Sequence, residues 1–150
     1  MTGIEVTGLA VPRFSRRELA VFARKVLIAL DNLRRIPEEL SDVSIAIVDD
    51  DAMRKLNRQF RKKNKTTDVL TFPADRSYAD PNAKGRPLGD IVISLDQARR
   101  QAGDQKHSLA TEIRYLVLHG IIHALGYDHE SDDGEMSALE VEVRGRVGLD

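Results

Sequence analysis

The segment His119-Gly120-Ile121-Ile122-His123-Ala124-Leu125-Gly126-Tyr127-Asp128-His129 holds three of the four histidines in the chain within eleven residues, and it restricts sharply how this part can fold. On a helix, residues four apart lie about 40° apart around the axis and about 6 Å apart along it, so His119 and His123 project from one face toward one point. Gly126 can take the left-handed conformation that ends a helix, after which Tyr127 and Asp128 can swing His129 back toward that point. A single histidine on a helix face is more often a satisfied polar group than a ligand. Three of them, with a terminator between the second and third, point to one bound metal ion. The chain has no cysteine, which excludes disulfides, thiolate sites and cysteine nucleophiles and leaves histidine and carboxylate as its strong transition-metal ligands. Three neutral imidazoles around zinc leave a fourth position open for water, as in a catalytic rather than a closed structural site. Nickel, copper or cobalt would accept the same ligands.

At 150 residues the chain matches one domain, 1–150, able to bury about two-thirds of its unfolded surface, so it does not need a metal as a staple. We find no repeat, low-complexity tract or linker. Gly3 to Leu9 reads as a short strand, and Ser15 with Glu18 forms a capping-box pattern opening an amphipathic helix to about Leu30, with Pro37 at its exit. Val43, Ile45 and Ile47 alternate as in a half-buried strand, and one of Asp49, Asp50 and Asp51 can cap a following helix to about Phe60. Strands are expected at Asp68 to Phe72 and Asp90 to Ser94. The loop between them, Pro73 to Leu88, contains three prolines and Gly85, and is either a flap over substrate or a plain hairpin connection. Helices are expected at Leu95 to Gln101, Leu109 to Leu125 and Asp133 to Val147. The sum is α+β: a small mixed sheet of about four strands covered by about five helices, with the metal site on the long penultimate helix. The most apolar early stretch, Leu19 to Leu30, carries Arg24 and Lys25, is too short to span a bilayer and lacks the layout of a secretory signal. The expectation is a cytoplasmic protein without a membrane partner.

The histidine spacing is also that of metzincin proteases, which place a glutamate directly after the first histidine as general base. Here that position is Gly120. A peptidase would lack the group that deprotonates its water, whereas a metal can itself acidify water and polarise a phosphoryl oxygen, which keeps phosphodiester hydrolysis open. Glu112, Asp128 and Glu130 are each either partners of the histidines or ordinary solvated carboxylates. His107 reads as a surface residue. Residues 54 to 65 contain Arg54, Lys55, Arg58, Arg61, Lys62, Lys63 and Lys65 and no acid, whereas Asp128, Glu130, Asp132, Asp133, Glu135, Glu140 and Glu142 crowd the C-terminal part. A formal net charge of -1 therefore conceals a basic surface suited to a phosphate backbone, although cations at a helix end also complement its dipole. An arginine facing the metal could clamp a phosphate.

With the histidine cluster, Leu56-Asn57-Arg58-Gln59-Phe60-Arg61, Thr67-Asp68-Val69-Leu70-Thr71-Phe72-Pro73 and Leu88-Gly89-Asp90-Ile91 in view, the sequence resembles the YbeY family of bacterial endoribonucleases over nearly its whole length. Thr66 stands where that family often has proline and Thr71 where it often has serine. The resemblance implies a zinc-dependent, single-strand-specific endoribonuclease that acts on ribosomal RNA, in maturation of the small-subunit 3′ end and in ribosome quality control, with no specificity for DNA. It implies His119, His123 and His129 as ligands of one zinc ion and Arg61 as a functional arginine. Catalysis would then rest on Arg61, His119 and His123, and RNA binding on Arg58, Arg61, Lys62, Lys63 and Lys65. The competing readings are a zinc-dependent peptide hydrolase and a non-enzymatic ribosome-assembly factor with a structural metal.

Overall fold

Val43, Ile45 and Ile47 are buried on one face of strand β2 (Leu40–Val48), as their alternation requires. In the computed structural model, which describes residues 3–36, 40–73, 86–127 and 132–149, this strand pairs with β1 (Ile4–Gly8) and β4 (Arg86–Ser94), both parallel to it. A further strand, β3 (Val69–Pro73), runs antiparallel to β4. The order β1-β2-β4-β3 makes a mixed sheet with β3 at one edge. Among the described residues there are five helices: α1 (Arg16–Asn32), α2 (Asp50–Arg61), α3 (Leu95–Gln105), α4 (Leu109–Ala124) and α5 (Glu135–Val147). The α+β architecture expected from sequence is therefore the observed one.

Each helix start has a local cause. The Ser15 hydroxyl accepts from the Glu18 amide at 3.0 Å, and Asp49 accepts from the Ala52 amide at 2.8 Å. Ser94 and Ser108 do the same for α3 and α4. The two faces of the sheet are covered unequally. Val43, Ile45, Ile47, Ile91 and Ile93 form the main core with α1, α4 and α5, while Met53 of α2 packs with Leu70 and Val92 in a smaller cluster. Helix α4 is the central element: Ile113, Leu116, Val117, Leu118, Ile121 and Ile122 are all buried, so it is apolar around most of its circumference, as a core helix must be. It lies close on β4 at Gly120, where a Cβ would come within 2.8 Å of Ile91 Cγ2.

Asp50 ties α2 to the elements beside it. Its carboxylate accepts from the hydroxyls of Thr66 at 2.9 Å and Ser94 at 2.8 Å and from the Arg100 guanidinium at 2.7 Å, while its amide donates to Asp96 at 2.9 Å. Burial alone would raise the Asp50 pKa; the hydrogen bonds from Arg100, Ser94 and Thr66 and the charge of Arg100 outweigh it and hold the pKa below the ordinary 3.8.

Three of the boundaries that differ from the sequence expectation have a visible cause. Strand β4 begins at Arg86 rather than Asp90, because its pairing with β2 continues to Leu40 through two register shifts. Within it, Gly89 passes so near β3 that a Cβ would sit 2.6 Å from the Phe72 carbonyl oxygen. Helix α3 continues past Gln101 because Ala102 is buried, and ends at a left-handed Lys106. Helix α5 starts at Glu135 rather than Asp133: Gly134 is its left-handed N-cap, and Asp132 accepts from the amides of Gly134 and Met136. Pro37, Gly85 and the central part of the expected flap or hairpin connection, 74–85, lie outside the described residues. No described helix is long and apolar enough to cross a membrane.

Two outcomes follow from this packing. Gly120→Ala gains helix propensity of up to about 1 kcal/mol but must displace Ile91, which is buried and β-branched, so urea unfolding should show a net loss of about 1–2 kcal/mol. Because the folded pKa of Asp50 is depressed, its contribution is fully present above pH 3.8 and is lost as pH falls through the folded value. Asp50→Asn should cost about 1–2 kcal/mol at pH 7 and flatten the acid limb of the stability curve. An unchanged acid limb would show that the three donors do not favour the ionised carboxylate.

Candidate functional site

Because Gly120, Ile121, Ile122 and Ala124 are turned into the core, His119 and His123 occupy the remaining stripe of α4, where both are half-buried. Their ring centroids are 6.0 Å apart with planes inclined at 42°, so the four-residue spacing does bring the two imidazoles together. They share a cavity of about 360 Å³ whose walls include Arg61, Thr67, Asp68 and Thr71. Arg61 comes from the last turn of α2, on the opposite side of the sheet from α4, and reaches this cavity beside the edge strand β3. The expected helix terminator is present: Gly126 has φ +104° and its amide donates to the His123 carbonyl at 3.0 Å. His129 lies outside the described residues, as do Asp128 and Glu130. Among the described residues no group of three potential ligands converges.

A carboxylate that the sequence reading counted only as part of an acidic surface meets the first histidine. Glu140 Oε1 on α5 is 2.8 Å from His119 Nδ1. This hydrogen bond raises the His119 pKa above the ordinary 6.5; burial opposes the shift, and the charges of Glu140 and Asp68 add to it. It also engages Nδ1, which makes Nε2 the nitrogen suited to a metal. The two residues are 21 apart in sequence and meet only because α5 packs on α4, so no local spacing signals the pair.

Glu112 does not pair with His119. Its carboxylate is buried and lies 2.6 Å from His107 Nε2, while accepting from Gln101 Nε2 at 2.9 Å. His107 is accordingly no free surface residue: it is partly buried against Glu112 and stacks on Tyr115 with ring centroids 5.6 Å apart. A buried carboxylate needs such partners, and the left-handed Lys106 turns the chain so that His107 supplies one. Gln101 also approaches Asp68 Oδ2 at 3.3 Å, and the Val69 amide donates to Oδ1 at 2.8 Å, which fixes the carboxylate in the cavity wall.

The donor set suits a borderline-soft divalent metal, since His119 and His123 offer imidazole nitrogens and no thiolate competes. The Nδ1 of His123 is buried and has no hydrogen-bond partner among the described residues, which carries a desolvation cost and leaves Nε2 as the nitrogen with which this ring could meet a metal in the cavity. Gly120 faces Ile91 and not the cavity, so a glutamate at the metzincin position would enter the core rather than the site. Of the basic residues, Arg58, Arg61, Lys62, Lys63 and Lys65 are all exposed, and Arg61 alone of these five lines the cavity. The left-handed Lys62 ends α2, and Asn57, fully buried, donates to the Lys65 carbonyl at 2.8 Å, pinning the basic turn that follows.

Residues 10–148 match the family model described as endoribonuclease YbeY. A curated endoribonuclease YbeY of Nautilia profundicola is 49% identical over 108 residues, covering 72% of this chain and 73% of the relative. That of Myxococcus xanthus is 46% identical over 138 residues, and this chain, of which 89% is covered, spans 44% of that longer protein. The solution structure of a protein from Thermotoga maritima is similar at TM-score 0.57 and 25% identity, covering 96% of this chain and 88% of that one. The match along nearly the whole chain places the protein in the endoribonuclease YbeY family.

Proposed function

We propose that this protein is a metal-dependent, single-strand-specific endoribonuclease that acts in the cytoplasm on ribosomal RNA, in small-subunit 3′-end maturation and late ribosome quality control. The observation that carries the reading is the meeting of Arg61 with His119 and His123 in one cavity, drawn from helices on opposite faces of the sheet. A cavity whose wall carries a guanidinium, two imidazoles and the single carboxylate of Asp68 suits an anionic group once a divalent metal is held there, and the exposed Arg58, Lys62, Lys63 and Lys65 near the end of α2 suit the strand that carries such groups. The names of the curated relatives point the same way.

In this reading His119, His123 and His129 hold one zinc ion. When bound, the ion supplies Lewis acidity, polarising a phosphoryl oxygen and acidifying the attacking hydroxyl. Arg61 presents its planar donor fork to the phosphate and stabilises the charge that develops in the transition state. Glu140 holds the His119 ring in one tautomer and orientation. The attacking group is a water or the neighbouring ribose 2′-hydroxyl. In the second case all-DNA strands are spared and a cyclic or 3′-phosphate end is left, which product-end analysis would separate.

The peptidase reading is weakened by the place of Gly120, where no general base could face the cavity. The assembly-factor reading differs in predicting metal without turnover. All three are separated by elemental analysis of the purified protein together with assays on single-stranded RNA, double-stranded RNA and a generic peptide. We expect one zinc per chain and cleavage of single-stranded RNA alone, slowed on the order of 1000-fold but still measurable in single turnover in folded His123→Ala. Metal-free folded protein, RNA cleavage unchanged in His123→Ala, or peptide cleavage would each overturn the proposal. Arg61→Ala should lower kcat about 100-fold with zinc retained. Glu140→Gln should weaken zinc binding about 10- to 100-fold in a chelator competition; an unchanged affinity would remove Glu140 from the site.

A further inference from the structure

Phe60 is the one aromatic among the exposed large apolar side chains of the described residues, with 56% of its surface open to solvent. It immediately precedes Arg61 at the end of α2, and its ring meets that of Phe72 edge to face, centroids 5.1 Å apart and planes at 70°. Such a contact occupies at most one face of either ring and braces both. Phe72 in turn packs on the small cluster of Met53, Leu70 and Val92, which anchors the pair to the sheet. Every ionisable side chain from residue 54 to residue 65 is a cation, so Phe60 is flanked by cations along the chain, while Asp90, the cross-strand partner of Phe72, is the acid on the sheet side of the pair. On β3, Thr71 lines the cavity with the histidines while Phe72, the next residue, belongs to the cluster under α2. Beside this edge strand, Arg61 and Phe60 are neighbours in sequence, one at the cavity and one at the aromatic pair.

Resting on the endoribonuclease reading above, we infer that Phe60, braced by Phe72, is a stacking platform for one unpaired base of the RNA strand whose phosphate Arg61 engages. An exposed ring inside a block of cations is the combination that binds single strands, because the cations follow the backbone and every base offers a π-face. A base inside a duplex already has neighbours on both faces, so the platform also supplies a physical origin for a preference for single strands. The alternative occupant, an apolar protein partner, is disfavoured by the run of cations that flanks the ring on both sides in sequence.

The test compares wild type, Phe60→Leu and Phe60→Trp on a single-stranded RNA substrate and on a series of the same strand with one abasic ribose moved along it. Thermal melting confirms that the substitutions at this exposed position leave the fold intact. For wild type, KM should rise at least about fivefold when the abasic site reaches one particular position. Phe60→Leu should raise KM for the intact strand by a similar factor with kcat within about twofold, and the abasic strand should cost it nothing further at that position. Phe60→Trp should restore the wild-type pattern. A Phe60→Leu protein with unchanged KM, or with the same abasic pattern as wild type, overturns the stacking role while leaving the nuclease reading intact. A wild type that cleaves no RNA overturns the nuclease reading, and the platform with it.

Discussion

The close seat of α4 on β4 governs the rest of the molecule. At Gly120 the helix comes near enough to Ile91 that a single added carbon would overlap it, and from that point the rotation of the helix about its axis is fixed. Ile121, Ile122 and Ala124 then enter the core, and His119 and His123 are left on the stripe beside β3. The same contact explains why the protease-like spacing does not carry protease machinery. The residue after the first histidine faces the sheet, where only the smallest side chain fits.

Charge is arranged around that helix in two separate groups. On one side Glu140 of α5 holds His119, and on the other the buried Glu112 is satisfied by His107 and Gln101, with Gln101 extending toward Asp68 in the cavity wall. A carboxylate is costly to bury without such partners, so both acids are bound to particular neighbours. Cations gather instead at the end of α2, where they complement the helix dipole and flank Phe60 in sequence. The near-zero net charge is thus the sum of an acidic C-terminal helix region and a basic α2, with the cavity where α4 and α2 approach the edge strand.

Features set by local rules were readable in the sequence. The Ser15 and Asp49 caps, the alternation of Val43, Ile45 and Ile47, and the Gly126 terminator all depend on residues within a few positions of each other, and all are present. Features set by packing were not. The early start of β4 comes from pairing with β2, the partnership of Glu140 with His119 from the docking of α5, and the burial of Glu112 from the turn that carries His107. The histidine pair on α4 was legible from spacing, because one helix fixes its geometry. That Arg61 shares its cavity depends on how two helices on opposite faces approach one sheet edge, which neither helix encodes alone.

The proposed chemistry depends on that sharing, since a guanidinium on the phosphate and a histidine holding the metal beside it would act as one unit. A double-mutant cycle on Arg61→Ala and His123→Ala, read as the single-turnover rate of single-stranded RNA cleavage, tests it most directly. Residues that act as a unit are strongly non-additive, so the double variant should be slower than the worse single variant by no more than a few-fold. Losses that multiply in full would show that the two side chains work independently, and one shared site would have to be abandoned.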